Sequence, residues 1–206
     1  MVLITGFEPF GGDSENPSAR IALALQGRQV QGREVVGAVL PCVFAHALRH
    51  LRRHLRRHRP ELVICLGLAA GRSALSIERV AINVMDARIP DNAGATPVDE
   101  PVARAGPVGY WSSLPIKAIC QAWREAGLPG EVSQTAGTFV CNQVFYGLMR
   151  SLRGTKIRGG FIHVPYARGQ GEPCLELEAM VAGIQLAAEV SLTTCQDLRL
   201  GAGSVS

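Results

Sequence analysis

Six cysteines occur in the chain, but no two are spaced CxxC, which argues against a zinc ribbon or a thioredoxin-like redox site. No apolar stretch is long enough to span a membrane. Met1 leads directly into the strand-like Val2-Leu3-Ile4-Thr5, without the basic region and small-residue cleavage site of a signal peptide. Together these absences predict a cytoplasmic protein whose thiols stay reduced. Neither GxGxxG nor a Walker pattern is present, so the glycine-rich turn Thr5-Gly6-Phe7-Glu8-Pro9-Phe10-Gly11-Gly12 gives little support to a nucleotide site. Internal repeats and low-complexity tracts are also absent. The net charge of +4 is modest and no aromatics interleave with the basic segment, so nucleic acid is not an expected partner.

What is present reads as α/β. At 206 residues and 47% hydrophobic, the chain can bury one core, and 1–206 is read as a single catalytic domain. Strand-like runs at Val2 to Phe7, Val35 to Leu40, Leu62 to Leu68, Val80 to Val84, Glu131 to Gln134 and Gly160 to Val164 are mostly separated by helical patterns. That alternation predicts a largely parallel twisted sheet with helices on both faces. Asn16-Pro17 offers an N-cap and N1 proline for a helix over 18–26, and Gly127 closes another that begins near Leu114. The last long helix is placed at 176–192. The stretch 86–109 is too long for an ordinary connection and marks a site or an interface. The tail 201–206 is expected to be disordered.

The histidines divide sharply. His46, His50, His54 and His58 repeat at four-residue spacing among Arg49, Arg52, Arg53, Arg56 and Arg57. Clustered guanidinium charge disfavours a bound cation, so this stripe reads as the solvated side of a helix whose apolar face is Leu48, Leu51 and Leu55. His163 stands alone at the end of a strand, where open α/β sheets place their sites and a general base is expected. Among the cysteines, Cys65 and Cys120 read as core, and Cys42, Cys174 and Cys195 as loop-edge or amphipathic positions. Cys141 falls in the first turn of a helix patterned by Val140, Val144, Phe145, Leu148, Met149 and Leu152. A helix N-terminus favours thiolate over thiol, so a lowered pKa is expected there, with N–H groups placed to cradle an oxyanion. Phe7 and Phe10, after the first strand, read either as core residues pinning a turn or as walls for a flat ring.

These residues carry a resemblance. Thr5-Gly6-Phe7-Glu8-Pro9-Phe10-Gly11-Gly12 with Asn16-Pro17-Ser18, Gly71-Arg72, Glu78-Arg79-Val80-Ala81-Ile82-Asn83, Ala87-Arg88-Ile89-Pro90-Asp91-Asn92 and the Cys141 and His163 segments resemble the type I pyroglutamyl peptidases. These are cytosolic cysteine peptidases that remove N-terminal 5-oxoproline. The similarity covers residue 2 to about 166 and resumes in the last helix. It implies a triad of Cys141 as nucleophile, His163 as base and then acid, and Glu78 orienting the imidazole. It also implies apolar walls from Phe7, Phe10, Ile89, Phe139 and Val140. Asn16 and the backbone at Leu68 would meet the lactam, and the Arg88 loop would help to hold the oxyanion. Neither metal nor organic cofactor is implied, and relatives are often homotetramers. Cys42 and Leu68 depart from the threonine and glutamine of some bacterial members. The residues alone leave two alternatives: another small-amide or nucleoside hydrolase, and a noncatalytic binding protein using the basic helix over 46–59.

Overall fold

The computed structural model describes residues 1–203, and the rest of the predicted tail, 204–206, lies outside the described residues. The chain order is β1 (Val2–Phe7), α1 (Pro17–Leu25), β2 (Gln29–Val30), β3 (Arg33–Leu40), α2 (Phe44–His58), β4 (Leu62–Leu68), β5 (Leu75–Glu78) and β6 (Val80–Ile82). Then follow β7 (Gly109–Trp111), α3 (Ile116–Glu125), β8 (Gly130–Ser133), α4 (Val140–Leu152), β9 (Arg158–Val164), β10 (Tyr166–Ala167), β11 (Cys174–Leu175) and α5 (Leu177–Thr193).

The main sheet runs β2-β3-β1-β4-β9-β5-β8. Its centre is parallel, and β1 and β4 are buried at every residue, as strands covered on both faces must be. Side-chain parity then sorts the core. Val2, Ile4, Ile64, Leu66 and Ile162 face α1, α3 and α5, whereas Leu3, Val63, Cys65 and Phe161 face α2 and α4. His163 is two residues beyond Phe161, so it shares the face that carries α4.

Two expectations change here. The strand expected at Val80 to Val84 exists only as β6, which pairs with β7 in a separate two-stranded antiparallel sheet. The strand that enters the main sheet is β5, whose polar Ser76 and Glu78 hid it in the sequence. It pairs antiparallel with β9 and parallel with β8. The sheet is therefore mixed on this side. In the tail, the carbonyl of Ala202 accepts from Arg79 Nη2 and Gln134 Nε2.

Local punctuation holds more closely. Asn16 caps α1 by accepting from the Ser18 N–H at 3.0 Å, with Pro17 at the first helical position. The long connection 86–109 is tied down by Asp91, which is 5% exposed. Its Oδ2 accepts from Phe44 N at the start of α2, and its Oδ1 from Ala93 N and Ala95 N. Burial opposes this carboxylate, but those N–H bonds outweigh it and hold its pKa below the ordinary value. A depressed folded pKa gives stability that is present above the unfolded value, about 3.9, and is lost as pH falls through the folded one. Asp91→Asn is therefore expected to cost about 1–3 kcal/mol at pH 7 in chemical denaturation. The gap from wild type should narrow below about pH 4, and an unchanged gap would contradict this role for the charge.

Candidate active site

Cys141 is the second residue of α4, and the chain reaches it through a turn at Gly137, whose φ of 74° is a conformation that side chains resist. The thiol is nearly enclosed. Room for it comes from Gly67 on β4: a Cβ there would lie 2.8 Å from Cys141 Sγ and 2.9 Å from the Phe161 ring. Gly67→Ala should consequently displace the sulfur while leaving the sheet intact. About a 10²-fold fall in kcat/KM is expected with a cooperative unfolding transition retained.

The expected lowering of the Cys141 pKa is not what the structure gives. Burial pushes the thiol up, with repulsion from the Glu78 carboxylate adding to it, against the pull of Arg72 and the residue's own N–H. Desolvation of a buried sulfur outweighs the helix terminus. Burial thus favours the neutral thiol over the thiolate at this position.

His163 lies at the end of β9, between Gly67 on β4 and Ser76 on β5. Glu78 is two residues past Ser76 on the same face of β5 and reaches the imidazole diagonally. His163 Nδ1 donates to Glu78 Oε1 at 2.7 Å, and the carboxylate is fully buried. Because the carboxylate accepts from Nδ1–H, the neutral ring carries its lone pair on Nε2. The same Oε1 also accepts from Arg72 Nη1 at 2.8 Å, and Arg72 Nη2 donates to the carbonyl of Thr135 at 3.1 Å. Arg79, Glu78's neighbour in sequence, bonds instead to the Ala202 carbonyl.

Cys141 and His163 open onto one cavity of about 460 Å³, within the range of small-molecule sites. Phe10, Leu68, Arg88, Ile89 and Phe139 line it, as expected from sequence, together with Ala70, Asp86, Ala136, Gly137 and Thr138, which were not anticipated. Phe139 lies tilted against Phe10 at 6.0 Å and meets Phe44 edge-on at 5.2 Å. Volume alone would not single out this cavity. A groove of about 510 Å³ lies along Phe44, Ala45, Leu48, Arg49, Arg52 and Arg56, without thiol or imidazole.

Three expected lining residues stand elsewhere. Phe7 and Val140 are core side chains at 1% and 0% exposure. Asn16 is consumed by structure, since its Oδ1 accepts from Ser18 N and Oγ and its Nδ2 donates to the Glu8 carbonyl. Cys42, expected at a loop edge, is buried near the site. The α4 side chains next to Cys141 hold the surrounding loops: Asn142 bonds Ile82 and Val84, and Gln143 donates to the Phe44 carbonyl. Asp86 and Thr138 exchange two further bonds.

A mixed α/β sheet that presents a thiol from a helix N-terminus beside a carboxylate-bound imidazole defines a cysteine hydrolase. Residues 1–194 match the model of the pyroglutamyl peptidase family, and the chain belongs to that family. The match also spans 167–175, beyond where the resemblance read from sequence paused. The pyrrolidone-carboxylate peptidase of Erwinia tasmaniensis is 50% identical over 208 residues, covering 98% of each chain. That of Bacillus cytotoxicus is 48% identical over 204 residues, covering 96% of this chain and 95% of its own. The pyroglutamyl peptidase I of Bacillus amyloliquefaciens superposes with a TM-score of 0.94 at 43% identity, over 97% of this chain and 98% of that one. The pyrrolidone carboxyl peptidase of Thermococcus litoralis gives 0.93 at 40% identity, with the same coverage.

Proposed function

We propose that this protein removes N-terminal pyroglutamate from peptides, with Cys141 as nucleophile, His163 as proton carrier and Glu78 as its orienting carboxylate. The observation that carries the reading is the shared cavity, whose lining joins the thiol and imidazole to aromatic and aliphatic side chains. Phe10, Leu68, Ile89 and Phe139 suit a flat, neutral lactam. An ammonium among them would lose its hydration, so ordinary N-termini are expected to be poor substrates.

The chemistry follows from the protonation states. As Cys141 Sγ attacks the pyroglutamyl carbonyl, its proton passes to His163 Nε2, and the imidazolium is stabilised by Glu78 through Nδ1. The oxyanion is held by the Cys141 N–H at the head of α4 and by the loop that carries Arg88. His163 returns the proton to the leaving amine, and a thioester to Cys141 remains. Water, activated by the same imidazole, then attacks the thioester and frees 5-oxoproline. The cycle calls for neither metal nor organic cofactor.

Among the described residues, no helix is long and apolar enough to cross a membrane, and all six cysteines are free. The free thiols support a reducing, cytoplasmic setting, and the reading includes a homo-oligomer. The test is a fluorogenic pyroglutamyl amide beside the matching alanyl amide. Cleavage of the first at least 10²-fold faster, undiminished by EDTA, is the expected result. Equal rates would remove the lactam from the reading. Inertness toward both, with salt-sensitive binding of nucleic acid to the basic α2 face, would favour the noncatalytic alternative.

A further inference from the structure

We propose that Arg72 is a positioning residue of this site, whose guanidinium balances the charge of the Glu78 carboxylate that holds the His163 imidazole. The proposal builds on the triad reading above. It starts from the sharing of one oxygen: Glu78 Oε1 takes both the His163 Nδ1–H at 2.7 Å and the Arg72 Nη1–H at 2.8 Å. Glu78 Oε2 is buried without a partner, so the carboxylate is held through that one atom. Arg72 also bonds the Thr135 carbonyl, at the start of the loop that leads through Gly137 into α4. One side chain thus links the acid behind the imidazole to the segment that delivers the nucleophile.

Charge counting gives the sign. Arg72, Glu78 and neutral His163 sum to zero, and Glu78 and His163 are almost wholly enclosed, at 0% and 4% exposure. A proton added to His163 makes the cluster positive in a poorly solvated place. Without Arg72 the same cluster is negative, and that proton neutralises it. Removing the guanidinium therefore favours the imidazolium, which cannot accept the Cys141 proton.

The other charged groups around His163 do not substitute for Arg72. Gly67 and Ser76 flank the ring in the sheet, and the Ser76 hydroxyl donates to Glu131, an acid. Cys141 faces it from α4, and Cys42 lies near that sulfur. Asp86 and Arg88 line the cavity, and Arg88 is exposed, where solvent screens it. Arg72 alone is fixed to the carboxylate. A like charge behind the carboxylate disfavours the protonated ring, and the 26% exposure of the Arg72 side chain keeps the expected effect to about one unit.

The experiment measures His163 in two independent ways in wild type, Arg72→Gln and Arg72→Lys. Ring titration by NMR, assigned with a His163→Gln control, needs no substrate and stands even if the proposed substrate is wrong. The acid limb of kcat/KM on the pyroglutamyl amide reports the same group in action. Arg72→Gln should raise both midpoints by about one unit, giving about tenfold lower kcat/KM on the acid side and a rate within about threefold at the alkaline plateau. Arg72→Lys, which keeps the charge but not the fork, should restore the midpoint. A uniform loss of rate with unmoved midpoints, or a downward shift, would overturn the proposal. If Arg72→Gln does not fold, Arg72→Met removes the same charge. Failure of both neutral variants to fold would also overturn it, by making Arg72 a residue of the scaffold. A clear NMR shift with no turnover by any variant, wild type included, would leave the charge balance standing and sink the substrate instead.

Discussion

Cys141→Ser is expected to lower kcat/KM on a pyroglutamyl amide by 10⁴-fold or more, the scale seen when an acyl-transfer nucleophile is removed. The substitution hardly changes volume, and Gly67 leaves the space that either atom occupies. Thermal unfolding should accordingly move little. The loss arises because an alcohol is a far weaker acid than a thiol, and burial already works against ionisation at this position. A neutral His163 can take a thiol proton as the carbon–sulfur bond forms, but it is poorly matched to an alcohol. The control is Cys42→Ser. Cys42 is buried and pushed up to about 12 by desolvation, with Glu8 and Asp91 adding repulsion, so it remains a thiol at neutral pH. Its replacement should leave turnover within about threefold of wild type, because Cys42 does not line the cavity. Comparable turnover by Cys141→Ser and wild type would falsify the nucleophile assignment.

The second large effect is expected at Glu78. In Glu78→Gln the amide oxygen can still accept from both His163 and Arg72, so the geometry is kept and the charge is lost. The imidazolium that forms as Cys141 attacks then has no anion behind it, and Arg72 is left without its counter-charge. A fall in kcat of about 10³- to 10⁴-fold is expected, with KM changed by no more than a few-fold. Stability should also fall, because removing one member of a buried ion pair costs about 3–5 kcal/mol, discounted here by the partial exposure of Arg72. Stopped-flow turnover and denaturant unfolding separate the two losses. A drop in KM affinity with kcat preserved would mean that Glu78 shapes the pocket rather than the proton transfer.

What could be seen in the sequence follows from which forces are local. The uninterrupted apolar runs of β1 and β4 announce buried parallel strands, and Asn16-Pro17 announces the start of α1, because both signals lie within a few residues. Cys141 was placed in the first turn of α4 by the same kind of periodicity. β5 was missed because Ser76 and Glu78 are polar, and they are buried only because β9 and the residues behind it supply partners from far along the chain. Arg72 gave no signal of its own beyond a family motif, since its two partners lie at Glu78 and Thr135. The thiol's pKa departs from its sequence expectation for a related reason: the helix terminus is visible in sequence, but the burial that overrides it is not. Asn16 shows the converse, a polar residue whose bonds serve the α1 cap and the turn before it.

The diagonal contact between β5 and β9 joins residues 85 apart, and it forms only after β9 has been made. A chain emerging from the ribosome exposes Cys141 before His163, and neither the imidazole nor its carboxylate partner can act until the strands on both sides have closed. Until then Cys141 has no imidazole beside it to take its proton. The arrangement of thiol, imidazole and carboxylate exists only in the completed sheet.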